Sequence, residues 1–335
     1  MKFRLGLSLG ERFSLSECVE QAVACEQYGF DSIWVAEGRL TRDGIVPSAI
    51  IAQATSRIRV GTGVINHKTR NAALTAVTFK TLDELAPRRI NLGIGAWWEP
   101  LASRVGLPLV KPIQEMREYL HVVKALFRGE TVDFEGDFVQ MRGIRFDMMY
   151  RANEPVDIPV YVGAVRPRML ELSGEIADGV LLDFHVPPRY VEGAVKHVQA
   201  GLARRTDGVR EIDLPQLVTC SVDDDDPQTA INDCKAFLTM YLAQQPHIAK
   251  YSDVEPELIV RIKDEMGWPA RPEDVRRAMR LVSNELTQEL TACGTTHTAM
   301  DQIERYLAAG TTCAVLCTLG KNKVETVHRI ARATR

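Results

Sequence analysis

Ile58-Arg-Val-Gly-Thr-Gly-Val-Ile-Asn66 opens as a buried strand and breaks into glycines at 61 and 63. Glycine has no side chain, so a ligand or an unusual backbone conformation can lie close against the main chain there. An ordinary strand-to-loop turn is the competing reading, because isolated glycines often follow strands. The flanking segments have to separate the two.

Upstream, strands are expected at residues 3–9 and 32–36, with a helix at 17–28 that Ser14-Leu-Ser16 can cap and Gly29 ends. A helix at about 47–56 leads into Ile58. Downstream, helix 72–85 precedes strand 89–94, and helix 113–127 follows Lys111-Pro112. Alternation around Glu135-Gly136 predicts a hairpin, which makes residues 129–155 an excursion. Strands resume at 158–162, 179–182, 214–222 and 312–318, before a closing helix at 324–334. Residues 228–290 read as helical and longer than one repeat needs, and Gln244-Gln-Pro-His-Ile248 and Trp268-Pro269 suggest an insertion over one mouth.

Eight short apolar strands separated by helices imply parallel pairing with right-handed crossovers. The expected fold is an α/β (β/α)₈ TIM barrel, a single domain over residues 1–335 with insertions at about 129–155 and 228–290. A doubly wound sheet has less support, since Gly93-x-Gly95 lacks a third glycine.

An apolar fraction of 45% and a charged fraction of 25% are globular values, and a net charge of -3 argues against a nucleic-acid partner. The seven cysteines show no paired spacing, which fits reduced thiols and a cytoplasmic setting. Neither a secretory leader nor a membrane span is expected. The acidic run 223–226 reads as a solvated turn, and no metal is expected.

In a barrel, chemistry gathers where each strand ends. Those positions include Ser8, Glu37-Gly38, 63–66, 95–99, 163–165, 183–185, 219–221 and 318–321. Glu37 and Glu99 are candidate acids, and Asp183 with His185 a candidate proton relay, each set against a purely structural role. Trp97 and Trp98 offer a flat apolar wall. Gly163, Ala164 and Val165 precede a helix beginning near Pro167, and free N–H groups at such a helix end suit a phosphate. No Ser-His-Asp spacing, nucleophile elbow or paired-histidine motif supports a hydrolase or a metalloenzyme.

Asp31-Ser-Ile-Trp-Val-Ala-Glu37, Arg57-Ile-Arg-Val-Gly-Thr-Gly-Val-Ile-Asn66, Thr81-Leu-Asp-Glu-Leu85 with Asn91-Leu-Gly-Ile-Gly95, and Ile158-Pro-Val-Tyr-Val-Gly-Ala164 with Ala177-Asp-Gly-Val-Leu181 resemble the bacterial luciferase-like oxidoreductases. Within them the chain is most similar to the methylenetetrahydromethanopterin reductase branch, which uses the deazaflavin coenzyme F420. The resemblance runs from residue 1 to about 222 and resumes near 293. It implies hydride transfer between a coenzyme F420 or FMN ring at the barrel mouth and a small organic substrate, a pterin-type one-carbon carrier being one candidate. It also implies a non-prolyl cis peptide at Gly63-Val64 or its neighbour, with Gly63, Val64, Ile65 and Asn66 under the ring. Gly95, Ala96 and Trp97 would line the ring pocket, Gly163, Ala164 and Val165 would hold the phosphate, and Ser8, Trp98 and Glu99 are assigned to the substrate. Barrels of this family with apolar helices such as Ala72–Leu85 often dimerise, so a homodimer is compatible with the sequence. An FMNH₂-dependent monooxygenase and a non-catalytic barrel that binds a ligand or partner are the alternatives. Three positions depart from the relatives: Ser8 stands where the reductase branch has a glutamate, Glu37-Gly38 where Asp-His is common, and Ala96 where some relatives carry an acid. The relatives' substrates therefore do not transfer with the fold.

Overall fold

The computed structural model describes residues 2–335 except 39, 100, 148, 151, 268 and 269, so the Trp268-Pro269 pair lies outside the described residues. The strands are β1 (Arg4–Leu9), β2 (Ser32–Val35), β3 (Arg59–Thr62), β4 (Ile65–Asn66), β5 (Ile90–Gly95), β6 (Val132–Glu135), β7 (Gln140–Ile144), β8 (Val160–Gly163), β9 (Gly179–Leu181), β10 (Pro215–Val222), β11 (Ala292–Gly294) and β12 (Cys313–Thr318). The hairpin β6-β7 stands apart, and the rest run β11-β10-β12-β1-β2-β3-β5-β8-β9 with β4 on β5. Bridges from Gly179 to Asp213 and from Leu182 to Gln216 close β9 onto β10. With β3 and β4 as one stave and β11 outside the ring, the barrel has the eight staves expected from the sequence. The three-residue β11 is not anticipated, because it exists only where Cys220, Ser221 and Val222 of β10 overrun the ring and pair with it.

Alternation along the strands separates two apolar layers. Leu5, Leu7 and Leu9 face the helices in the main core, whereas Trp34, Tyr161, Leu181, Leu217 and Val315 form a cluster inside the ring. Helix Leu15–Tyr28 begins in a Ser14/Glu17 capping box and ends at Gly29 with φ 84°. From that helix, Glu26 accepts the backbone N–H groups of Ser56, Arg57 and Ile58 and so fastens the turn into β3. Burial opposes its ionisation, but those bonds outweigh it and bring the carboxyl down to about 2. Its folded value lies below the unfolded value, so its stabilisation is complete above about pH 4.3 and fades as pH falls toward the folded value. Glu26→Gln is expected to cost about 1 kcal/mol at pH 7. Urea melts at descending pH should show the deficit shrinking below pH 4.

Between β10 and β11, helices Pro227–Gln244, Pro246–Ala249, Pro256–Met266, Pro272–Ala278 and Asn284–Leu290 gather a small core of their own around Leu238, Leu242, Ile262 and Met266. The β6-β7 hairpin is pinned by Glu118, which accepts the N–H groups of Asp137, Phe138 and Val139.

Candidate active site at the barrel mouth

Gly61 of β3 pairs with Asn91, and pairing resumes with Ile65 of β4 opposite Ile94. Four steps on one side therefore oppose three on the other, which is a β-bulge of one extra residue. The Gly63-Val64 peptide inside it is cis. Thr62 bridges the gap, its hydroxyl donating to the Gly93 carbonyl at 2.7 Å and accepting the Gly93 N–H at 3.1 Å. Val64 turns its side chain over the adjoining strand ends. A Cβ at Gly95 would lie 2.8 Å from Val64 Cγ2, and one at Gly163 would lie 3.2 Å from both Val64 methyls. Those two glycines thus make room for Val64. Gly61 yields instead to Asn91, whose Cβ an added Cβ would meet at 2.9 Å with Trp34 Cε3 at 3.3 Å, and Gly63 yields to Trp34, whose Cβ it would meet at 2.9 Å. The surface presented to the mouth is the half-buried Val64, supported on the Trp34–Tyr161 pair, whose rings meet edge-on at 4.9 Å.

Around this floor, Ser8 is buried on the inward face of β1, while Ala96, Trp97 and Trp98 are half-buried and Trp97 takes a left-handed φ of 67°. Ile65 and Asn66 are buried, and the Asn66 side-chain oxygen accepts the Thr69 N–H and hydroxyl. Asp183 stands two residues beyond the inward-facing Leu181. Its Oδ1 accepts the Phe184 N–H at 2.8 Å and the Tyr241 hydroxyl at 3.1 Å.

His185 meets the Thr219 hydroxyl through Nε2 at 3.0 Å, and its Nδ1 has no partner among the described residues, so it is not bonded to Asp183. Phe184, Phe237 and Tyr241 enclose the imidazole, with Tyr241 at 4.9 Å and Phe237 at 5.3 Å between ring centres. Burial, and then the charge of Arg12, push it down to about 3, which leaves it neutral at pH 7. Arg12 lies 4.1 Å over the Phe237 ring. Phe237 and Tyr241 come from helix Pro227–Gln244; the length of the 228–290 segment with Gln244-Gln-Pro-His-Ile248 and Trp268-Pro269 pointed to an insertion over one mouth, but not to these two residues.

Both Glu37 oxygens are engaged by Arg70, at 2.7 and 2.6 Å, and by the Asn66 amide and the Gly44 N–H. The exposed Glu99 accepts the N–H groups of Leu109 and Ser103, which hold it below the usual carboxylate range and shape its own loop. In the turn after β8, the Val165 carbonyl accepts the Tyr190 hydroxyl, and Val165 packs with Val186 and Ile248. The following helix, Pro167–Ile176, has no side-chain cap from Arg166. Among the described residues, no three His, Cys, Asp or Glu side chains are placed to hold a metal ion.

The luciferase-like monooxygenase family matches this chain over residues 2–313. The 5,10-methylenetetrahydromethanopterin reductase of Methanolobus tindarius is 29% identical over 314 residues, covering 93% of this chain and 93% of that protein. The structure of the coenzyme F420 dependent tetrahydromethanopterin reductase from Methanopyrus kandleri superposes with a TM-score of 0.87 at 24% identity, over 99% of this chain and 98% of its own. An F420-dependent secondary alcohol dehydrogenase in complex with an F420-acetone adduct superposes at 0.78 and 21% identity over 100% of both chains. The eight-stave barrel, its bulged third stave and a family match over nearly the whole length agree, and the chain belongs to the luciferase-like monooxygenase family.

Proposed function

We propose that this chain is an oxidoreductase that binds coenzyme F420, or FMN, across the barrel mouth and moves a hydride between its ring and a small organic substrate. The observation that carries the reading is the half-buried Val64 on its cis bulge, laid over Gly95 and Gly163 as an apolar floor. A flat ring fits there, with 63–66 beneath it and Gly95, Ala96 and Trp97 at its edge. A phosphate is assigned to Gly163, Ala164 and Val165 at the start of helix Pro167–Ile176, where Arg166 supplies no side-chain cap; Pro167 has no N–H and the Met169 N–H donates to the Arg166 carbonyl, which leaves the N–H groups of Val165, Arg166 and Arg168 for it. The bound group supplies the redox chemistry, and the protein orients it and excludes water.

Among the chain's own groups, we assign Asp183 to proton transfer, since it is the carboxylate stationed over the inner layer. Ser8 and Trp98 would contact the substrate. Glu37, committed to Arg70, and Glu99, committed to its own loop, are assigned to holding the mouth's walls. His185, neutral and enclosed, is assigned to supporting Phe184 and Tyr241. A pterin-type one-carbon carrier is the substrate class suggested by the Methanolobus relative's name. Purified protein incubated with coenzyme F420 or with FMN, then washed, should retain the absorbance of one of them. Retention of neither would remove the reading. The family's name favours a second reading, an FMNH₂-dependent monooxygenase. Oxygen consumption under reduced FMN, compared with anaerobic F420 reduction, separates the two.

The proposal includes a homodimer, a cytoplasmic setting, a single domain with its helical insertion, and no nucleic-acid partner. Helix Ile45–Ala54 is apolar on both faces, exposing Val46 and Ile50, and its neighbour Ala72–Leu85 exposes Leu74, Val77 and Leu85. Such a face is expected to be covered. Light scattering should give a dimer for the wild type and a monomer for Leu74→Glu with an unchanged melt; a monomeric wild type overturns this part. No described helix is long and apolar enough to cross a membrane.

A further inference from the structure

Across the mouth from the proposed phosphate turn stands an arginine that the functional reading does not use. In the closed ring β8 and β1 are opposite each other, with β2, β3 and β5 between them on one side and β9, β10 and β12 on the other. The turn after β8 holds residues 163–165, and the turn after β1 holds Arg12. That second turn is well anchored. The Phe13 N–H donates to the Gly10 carbonyl at 3.3 Å, the Lys323 ammonium donates to the Arg12 carbonyl at 2.9 Å, and the same ammonium lies 4.2 Å over the buried Phe13 ring.

The Arg12 side chain is exposed, yet it has a fixed seat. Its guanidinium carbon lies 4.1 Å from the centre of the Phe237 ring, and its charge acts on His185 and Cys317, which pack with Phe237. A contact of this kind uses the charge over the ring face and leaves the N–H groups for acceptors. Among the described residues none of those donors meets an acceptor, whereas Arg4, Arg70, Arg117 and Arg329 are each bonded to carboxylates. The charged groups around it are engaged elsewhere. Lys323 pairs with Glu17 at 3.1 Å, and Asp233, one helical turn before Phe237, accepts the Ser221 hydroxyl at 3.2 Å. Glu11, next in the chain, is exposed and forms no ion pair with Arg12.

We infer that Arg12, held over Phe237, is a substrate-binding residue that takes the carboxylate of an organic acid and sets the rest of the molecule toward the Val64 floor. The planar fork of a guanidinium matches the two oxygens of a carboxylate, and a fork already seated on a ring loses little freedom on binding. Phe184 and Tyr241, which meet Phe237 edge-on, offer apolar surface beside it for the body of the molecule. The cofactor phosphate is not the partner, because it is assigned to the opposite stave. The inference deepens the proposed function by naming a substrate class, and it rests on that reading for the position of the ring.

The test is a calorimetric titration of the full chain, alone and loaded with coenzyme F420 or FMN, at constant ionic strength. The probes are benzoate and benzamide, which share a ring and differ in charge. The wild type is expected to hold benzoate about tenfold more tightly than benzamide. Arg12→Gln should bring the two probes to equal affinity. Arg12→Lys, which keeps the charge but not the fork, should keep only part of the preference. Cofactor affinity is expected to be the same in all three proteins. A merely structural Arg12 would instead lower the melting temperature and weaken both probes alike. Equal affinities in the wild type, no measurable benzoate binding, or a preference that survives Arg12→Gln overturns the inference. Loss of F420 affinity in Arg12→Gln without loss of the benzoate preference would assign the fork to the cofactor's own acidic groups, and overturns it too. Should Arg12→Gln not fold, Arg12→Lys decides, and a preference undiminished from the wild type overturns the inference. A wild type that retains neither cofactor overturns the cofactor reading alone, because the benzoate and benzamide affinities are also read on the unloaded chain.

Discussion

Gly95→Val is expected to lower affinity for coenzyme F420 or FMN by ten- to a hundredfold while the protein stays folded. The new Cβ would come 2.8 Å from Val64 Cγ2, well inside the carbon–carbon optimum of about 3.5–4.0 Å. Gly95 is not in the left-handed region, so its backbone accepts a side chain and the whole effect falls on Val64. Overpacking of this kind costs about 1–3 kcal/mol, and each 1.4 kcal/mol is about tenfold in affinity. Val64 can relieve the overlap only by leaving the floor. Val64→Ala in the same chain should therefore recover most of the binding, a non-additive pair of the sort expected for residues in contact. Fluorescence titrations of the two singles and the double, each with a melt, check this. Wild-type affinity in Gly95→Val would remove Val64 as the floor. A double variant no better than the single would mean that the overlap lies elsewhere.

The same contacts show how far the sequence could be read. Short apolar runs alternating with amphipathic ones make the eight staves and helices such as Ala72–Leu85 legible, because period and capping are local properties. The glycines were legible as places of close approach but not as to what approaches them. Gly61 yields to Asn91 and then Trp34, Gly63 yields to Trp34, and Gly95 and Gly163 yield to Val64. Each partner is a side chain from another stave or from across the bulge, and sequence spacing does not carry that register. Gly163 shows the consequence: a bulky residue there would press on Val64 as well as on a phosphate, so loss of binding alone would not locate the phosphate.

The ionisable residues divide in the same way. Glu37 reads as an available acid until Arg70, 33 residues on, is found with both guanidinium ends on its carboxylate. His67 lies one residue past Asn66, and nothing local distinguishes it; its ring partner is Glu115, on a helix 48 residues away. Phe237 and Tyr241 are hidden for a different reason. Their helix carries a helical pattern, but which of its residues meet the mouth depends on how it docks on β10 and β11.

Asp213→Ala should cost about 3 kcal/mol of folding stability and leave cofactor affinity unchanged, because Asp213 lies at the end of the barrel opposite the mouth. Its carboxylate accepts Arg4 at 2.8 and 3.0 Å, the Tyr161 hydroxyl at 2.9 Å and the Thr312 hydroxyl. Arg4 also reaches Asp31 at 2.9 and 3.1 Å, so β1, β8 and the residues entering β2, β10 and β12 converge on one group. Removing one partner of a buried pair costs about 3–5 kcal/mol, and the lower end applies because the Arg4 side chain is 41% exposed and screened by water. The dependence on pH has a definite sign. Burial pushes the Asp213 carboxyl up, but the bonds from Arg4 and Thr312 outweigh it and hold it below its usual value. A group depressed on folding contributes its full stabilisation above the unfolded value of about 3.9 and loses it as pH falls through the folded one. Denaturant melts should therefore show a constant gap between wild type and variant from pH 7 to pH 5, narrowing below pH 4. A gap that persisted into acid would assign the loss to packing around Tyr161 rather than to charge, and the ion pair would then not be what fastens this end of the barrel.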